Sequence, residues 1–403
     1  GMQLIDALPH TRERDESELA LRVLLGTAWL ALKGWPAPEV WTSLHPALAL
    51  AKSRGCNDAL VPIYWGLSVN VGAQGRVAEA LPWARQMLDS AKVSGDAALL
   101  VTGHMCTCNY SFWMGRLVEC LEHRDALLAL YDETKHGHLV ELLNEDPKAQ
   151  AGVFASLATW MLGYPDRAVC MLNESVAHAH RIGHPFGLGW ALSQGSDVFC
   201  YRCDTEEVRK RLDECDRLGR DNSLPVLWAV MAPGRYGMGF VREGKAAKGI
   251  AALKETLAVW DASGGKVWSP YGKAVLAEAM AMLGDIDDAL QLIDEQIEQI
   301  ERPGWEERVH YAEILRLKGW MLTLKDDLKG AEQNYLASLD WAREQQAKSW
   351  ELRTSTSLAR LWREQGKRKE AHDLLAPVYN WFTEGFDTKD LREAKALLEE
   401  LAA

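Results

Sequence analysis

A six-residue segment recurs along this chain at almost constant intervals, and that regularity decides the fold class. It reads Gly-Arg-Val-Ala-Glu-Ala at 75–80, Gly-Arg-Leu-Val-Glu-Cys at 115–120 and Gly-Tyr-Pro-Asp-Arg-Ala at 163–168. Later copies are Gly-Lys-Ala-Ala-Lys-Gly at 244–249, Gly-Asp-Ile-Asp-Asp-Ala at 284–289 and Gly-Lys-Arg-Lys-Glu-Ala at 366–371. Two weaker copies close on Val208 and Ala331. The closing positions form a column, Ala80, Cys120, Ala168, Val208, Gly249, Ala289, Ala331 and Ala371, spaced by 40, 48, 40, 41, 40, 42 and 40 residues. A fixed period of this size means a solenoid of stacked supersecondary units. Glycine ends one helix in the left-handed conformation, and the small residue five positions on lets the next helix pack closely against it. An earlier turn at Gly34-Trp35-Pro36 brings the total to about nine helix pairs.

Upstream of each turn lies a stretch with apolar residues three and four apart, the period of a helix. In residues 58–74 the buried face reads Tyr64, Leu67, Ser68 and Val71. The position seven before each turn is almost always small: Ser68, Cys108, Ser156, Ser196, Gly237, Ala277, Gly319 and Ala359. Small residues there let neighbouring helices cross at short distance. No alternating apolar run bounded by hairpin turns points to a strand. The unit resembles the tetratricopeptide repeat, with a period about six residues longer than the usual one. The expected fold is therefore all-α, a right-handed α-α superhelix of about nine pairs with a period of about 40 residues. Residues 2–403 read as one solenoid, with repeats one to three over 17–135, an insertion over 136–147, repeats four to nine over 148–387 and a capping helix over 388–403. Gly1 reads as a protease-cleavage scar and is set aside.

The formal net charge of −12 argues against direct nucleic-acid binding, which draws on Lys and Arg at phosphates. No apolar run approaches the roughly 18 residues of a membrane-spanning helix, so no membrane contact is expected. The eight cysteines fall mostly within apolar helical stretches of a chain too long to need disulfide staples. Reduced thiols and a cytoplasmic location follow.

Longer stretches carry a closer resemblance. Residues 345–353 (Gln-Gln-Ala-Lys-Ser-Trp-Glu-Leu-Arg), Ser357-Leu358-Ala359-Arg360-Leu361-Trp362, Leu375-Ala376-Pro377-Val378-Tyr379 and residues 381–388 (Trp-Phe-Thr-Glu-Gly-Phe-Asp-Thr) resemble the closing segment of bacterial multidomain signalling proteins. In that family a class III adenylate/guanylate cyclase domain and a STAND-type, MalT-like ATPase precede a long tetratricopeptide region. Gly163–Ala168 and Gly183-His184-Pro185-Phe186 resemble the middle of that region, and Leu8–Arg14 its start. The resemblance implies a regulatory or sensor region whose catalytic parts, in the family, lie upstream.

Motifs of catalysis fail their contexts. Residues 239–246 nearly spell a P-loop, but Ala246 stands where Ser or Thr must hold Mg²⁺, and the segment lies on a helix end rather than after a strand. Cys200, Cys203 and Cys215 lack the fourth ligand of a structural zinc site. His178, His180 and His184 lie near a helix C-terminus, where the dipole favours histidine, and no zinc-hydrolase pattern surrounds them. No catalytic residue, metal or cofactor is expected.

Binding residues come from projecting the repeat onto its geometry. In tetratricopeptide solenoids the first helix of each pair lines the concave face. The inward positions, 13, 10, 6, 3 and 2 before each turn, include Trp65, Met105, Asn109, Phe112, Trp113, Trp160, Trp190, Asp197 and Tyr201 in the N-terminal half. Further on they include Met231, Met238, Arg242, Tyr271 and Glu278, then Glu313, Arg316, Trp320, Arg353, Arg360 and Arg363. The groove should thus be aromatic first and arginine-rich last. Both residue types dominate binding hot spots, and an arginine cluster suits carboxylate or phosphate. The Lys/Asn carboxylate clamp that the tetratricopeptide resemblance implies is matched only by Asn109. The expected partner is a protein or peptide segment, or upstream domains of the same polypeptide. The alternative is a small-molecule receptor with an aromatic pocket in repeats two to five, lidded by the insertion.

Overall fold

The computed structural model describes Ile5, Pro9 and residues 11–402. The Gly1 scar, and Leu8 and His10 of the opening motif, lie outside them. The regular structure among the described residues is all helical, with no strand among them. Nine consecutive pairs follow the repeat: α1 (Arg12–Lys33) with α2 (Pro38–Arg54), α3 (Leu60–Ala73) with α4 (Val77–Ser94), and α5 (Ala97–Trp113) with α6 (Leu117–Leu130). Next come α7 (Pro147–Met161) with α8 (Pro165–Ile182), α9 (Pro185–Arg202) with α10 (Thr205–Asp221), and α11 (Ala232–Arg242) with α12 (Ala246–Ala262). The array continues with α13 (Ser269–Met282) and α14 (Ile286–Glu301), α15 (Tyr311–Leu324) and α16 (Leu328–Glu344), and α17 (Lys348–Glu364) and α18 (Arg368–Trp381). Helix α19 (Lys389–Ala402) follows the last pair. Two short helical turns, Glu133–His136 and Leu139–Leu143, occupy the long interval between α6 and α7.

The turn chemistry explains why two copies of the repeat look weak. Gly75, Gly284 and their equivalents take φ of +83° and +96°, the left-handed region glycine enters freely. At the weak copies Cys203 and Asp326 hold the same place with φ of +59° and +61°. The backbone is conserved where the residue type is not, at a steric cost of about 1–2 kcal/mol for a side chain there. Asp326 is exposed. Asp326→Gly should therefore raise the unfolding free energy by about 0.5–1 kcal/mol, read by urea titration; a decrease would show that the Asp326 side chain contributes there.

The small-residue column does what its spacing requires. Ser68, Cys108, Ser156, Ser196, Ala277 and Ala359 are fully buried. A Cβ on Gly319 would stand 2.7 Å from the Tyr335 ring. First helices pack on first helices of the next pair as well as on their own partners, so they form an inner layer. Helices α7 and α9 are buried almost all round, whereas α10 and α14 are strongly one-sided, with apolar residues inward and charges outward.

The inner layer does not enclose an open N-terminal groove. The C-terminal pairs return against the ends of the early inner helices. The Lys266 N–H donates to the Ala73 carbonyl (2.8 Å) and the Val309 N–H to the Trp113 carbonyl (3.1 Å). The Ser349 hydroxyl donates to the Trp160 carbonyl at 2.6 Å, across 189 residues, which is about five repeats of this period. Asp166 accepts from the Gly385 N–H at 2.9 Å. These carbonyls belong to the last turns of α3, α5 and α7, where they have no donor within their own helix. The return of the chain therefore satisfies helix ends that a wider superhelix would leave to water.

Two histidines also have more specific roles than the helix-dipole reading gave them. His178 Nε2 is 2.9 Å from Asp146, which caps α7 by accepting from the Ala149 N–H. His184 caps α9 through the Gly187 N–H.

Candidate functional site

Where the two halves meet, the inner layer leaves two cavities of opposite character. The first, of about 110 Å³, is walled by aromatic rings. Tyr110 and Trp113 come from α5, Phe154 from α7 and Trp190 from α9. Trp35 reaches it from the first turn, while Trp260 and Trp268 reach it from the end of α12 and the loop into α13. Trp268 is held with φ +70°, a conformation uncommon for a bulky residue. Its backbone N–H donates to both oxygens of the buried Glu307 carboxyl at 3.1 Å, and burial pushes that carboxyl well above the usual range.

Polar atoms in this cavity are few and incompletely matched. Glu145, in the segment leading into α7, is 3% exposed and accepts from Gln150 Nε2. No described cation lies within ion-pair distance of it. Burial pushes its carboxyl up to about 8, with the Gln150 hydrogen bond opposing. Asn109 Oδ1, Gln150 Oε1 and Trp268 Nε1 are buried without a hydrogen-bond partner. Arg235 also reaches the wall, but its charge is engaged: it stands 3.1 Å from Asp197 and donates to Gln194 at 2.7 Å. Burial raises Asp197 to about 6, with Arg235 opposing.

The second cavity, about 500 Å³, is a polar cleft along the later inner helices and α19. Arg242 of α11 pairs with Glu278 of α13 at 2.7 Å. Arg316 and Arg353 share Glu313 of α15 at 2.7 and 3.4 Å. Arg353 and Arg360 of α17 reach Asp390 and Glu393 of α19, each at 2.8 Å. Burial alone would raise Glu313, but Arg316, Arg353 and Arg242 bring it down to about 2. Each arginine thus already faces a carboxylate. The cleft is a charge-balanced lattice rather than the anion-seeking patch that the arginine positions alone imply.

The inward positions divide between these cavities and the packing around them. Asn109, Trp113 and Trp190 line the aromatic cavity; Arg316, Trp320, Arg353 and Arg360 line the polar cleft. Trp65, Met105 and Phe112 are buried and line neither. Trp160, Tyr201 and Tyr271 likewise line neither; they form the seam between the halves. Trp160 meets Trp350 with ring centroids 4.9 Å apart. Tyr271 stacks on His310 at 3.9 Å, and the Tyr201 hydroxyl lies 2.7 Å from His310 Nε2. Burial keeps His310 neutral, down at about 3.

Gln150, 13 residues before the Gly163 turn, stands in the inward register without having been singled out; projection onto single helices missed Glu145, Trp260 and Trp268. Glu145 lies in the very interval that breaks the period, which was the available signal. The others reach the cavity from loops or from across the superhelix, which a single-repeat register does not encode. Among the described residues, no group of three or more His, Cys, Asp or Glu side chains could hold a metal ion. No described helix is long and apolar enough to cross a membrane.

No family model and no curated protein matches the chain. Among solved structures, it is similar to a Rap protein complexed with Competence and Sporulation Factor, with a TM-score of 0.58 and 12% identity over 96% of this chain and 99% of that one. At that identity the likeness shows the fold alone. Looser likenesses are to yeast Tom70, with a TM-score of 0.39 and 13% identity over 96% of this chain and 79% of that one. Another is to a STAND ATPase with a tetratricopeptide sensor from Pyrococcus horikoshii, at 0.37 and 12% over 91% of this chain and 55% of that one. Neither of these two supports a closer inference.

Proposed function

We propose that this chain is a non-catalytic binding module that takes up an extended peptide segment in its interior, as the regulatory or sensor part of a signal-transduction protein. The polar cleft carries this reading. It runs along α11, α13, α15, α17 and α19, a span that suits a chain segment better than a compact metabolite. Its paired charges offer donors and acceptors in alternation, as a peptide backbone requires. The Rap protein of similar fold is complexed with Competence and Sporulation Factor, which supports a binding role. The sequence resemblance to regions that follow a STAND ATPase is the ground for the regulatory role. A second reading, a small-molecule receptor, is favoured by the aromatic cavity.

Selection from a displayed library of random decapeptides tests the main reading, with a variant that plugs the cleft. Ser357 lines it and is half-buried. Enriched peptides should bind the unaltered protein and lose at least about tenfold in affinity, or about 1.4 kcal/mol, to Ser357→Trp, whose circular dichroism should be unchanged. No enrichment above background, or equal binding to both proteins, would sink the proposal.

A further inference from the structure

The aromatic cavity has a ligand preference written into its polar atoms. Aromatic rings attract cations at their π-faces, and on this wall Arg235 already lies over the Trp268 ring at 5.5 Å. Its unsatisfied groups are mostly acceptors: the Glu145 carboxyl lacks a cation, and Asn109 Oδ1 and Gln150 Oε1 lack donors. Among the described residues on the same wall, two donors lack a hydrogen-bond partner, Trp268 Nε1 and Arg235 Nε, and the second stands 3.1 Å from Asp197. A buried acceptor left unpaired costs about 1–3 kcal/mol, so the missing partner is a donor. A sugar would bring hydroxyls that need donors and acceptors alike; an ammonium brings N–H donors and positive charge together.

From this juxtaposition we infer that the cavity is a subsite for the ammonium end of a short aliphatic chain, with Glu145 as its counter-ion and Trp113 and Trp190 as its aromatic walls. The volume, about 110 Å³, is smaller than the roughly 150 Å³ cavity that encloses benzene, which matches an alkylammonium end rather than a whole metabolite. Arg235 does not oppose such a guest as a free charge would, because Asp197 stands beside it. The inference rests on the interior being a binding site, and deepens that reading. The ammonium can belong to a lysine of a bound segment or to a free amine.

The site should be pH-dependent, with the sign set by Glu145. Raised to about 8, it is mostly protonated at pH 7 in the empty protein and must lose that proton to pair with a cation. Affinity should rise by about tenfold from pH 7 to pH 9, while the amine itself stays charged. Of the other titratable groups around it, Cys106 is raised to about 12 and Tyr110 well above its usual value, both by burial. Asp197 is already ionised over this range. Glu307 on the far side of Trp268 is the remaining group, and the Glu145 variant separates its contribution.

Calorimetric titration of the full chain with n-butylammonium chloride and with its neutral isostere 1-butanol, at pH 7 and pH 9, tests the proposal. Butylammonium should bind at pH 9 with a Kd of about 1 mM, with 1-butanol at least about tenfold weaker and indifferent to pH. Glu145→Gln should abolish both the preference and the pH slope; the slope in the unaltered protein needs no variant. Parallel titration with Nα-acetyl-lysine amide identifies the source, a tighter lysine derivative marking a side chain and a tighter butylammonium a free amine. The proposal is overturned by equal or tighter binding of 1-butanol, by no saturation with butylammonium below about 50 mM, or by a preference and slope that persist in Glu145→Gln. Peptide selection on the polar cleft reads a different cavity, so each proposal can fail while the other stands.

Discussion

Trp350→Ala should lower the unfolding free energy by about 3–5 kcal/mol, and should loosen the molecule across its middle. Trp350 is 1% exposed at the start of α17. Its ring meets Trp160 edge-on at 4.9 Å and Tyr201 at 5.5 Å, residues contributed by α7 and α9. Arg353 lies over the same ring at 5.0 Å. The truncation therefore leaves a cavity between parts of the chain that touch only because the superhelix returns on itself. Urea unfolding should show the loss in stability, and small-angle scattering should show a larger radius of gyration for the variant. A loss under about 1 kcal/mol, the range of ordinary surface substitutions, would mean that the seam contributes little.

The second large effect concerns Glu313, which is fully buried between Arg316 and Arg353. Removing one partner of a buried ion pair leaves an uncompensated charge, at a cost of about 3–5 kcal/mol, so Glu313→Gln should destabilise by that order at neutral pH. Acid should have a related effect. The carboxyl's folded pKa is held down at about 2 against a reference of 4.5. A depressed carboxylate contributes stability that is complete above the unfolded pKa and is lost as pH falls through the folded one. Between pH 4.5 and pH 2, Glu313 should thus account for about 3 kcal/mol of lost stability. Glu313→Gln should be correspondingly less sensitive over that window. Urea titrations of both proteins at pH 7, 4, 3 and 2.5 measure the difference; parallel acid limbs would show that the arginines do not hold this carboxylate.

How much of this was legible in the sequence follows from what a repeat encodes. The column from Ala80 to Ala371 gave the pairs, because close helix packing needs a small residue at a fixed place. The weak copies at Cys203 and Asp326 remained recognisable by spacing although they lack the turn glycine. Inner positions were also legible, since Arg316, Trp320, Arg353 and Arg360 do line one cleft. What the period could not carry is contact between repeats five apart. Nor could it carry the capping helix, which lies outside the repeat: Arg353 reads as a free groove cation until α19 brings Asp390 to it. Trp160 reads as a groove aromatic until α17 covers it with Trp350. Superhelical pitch depends on small rotations summed over several pairs, and no single residue states it. Glu145 was hidden for another reason: it lies in the interval where the repeat breaks, so no register assigned it a direction.

Binding inside a superhelix closed by contact between its halves can be checked by amide hydrogen exchange, with and without a library-selected peptide. The Lys266 and Val309 amides, which donate across the interior, should be protected in the free protein, and the peptide should add protection along α11, α13, α15, α17 and α19. Rapid exchange at Lys266 and Val309, or added protection confined to the outer helices such as α10 and α14, would contradict it.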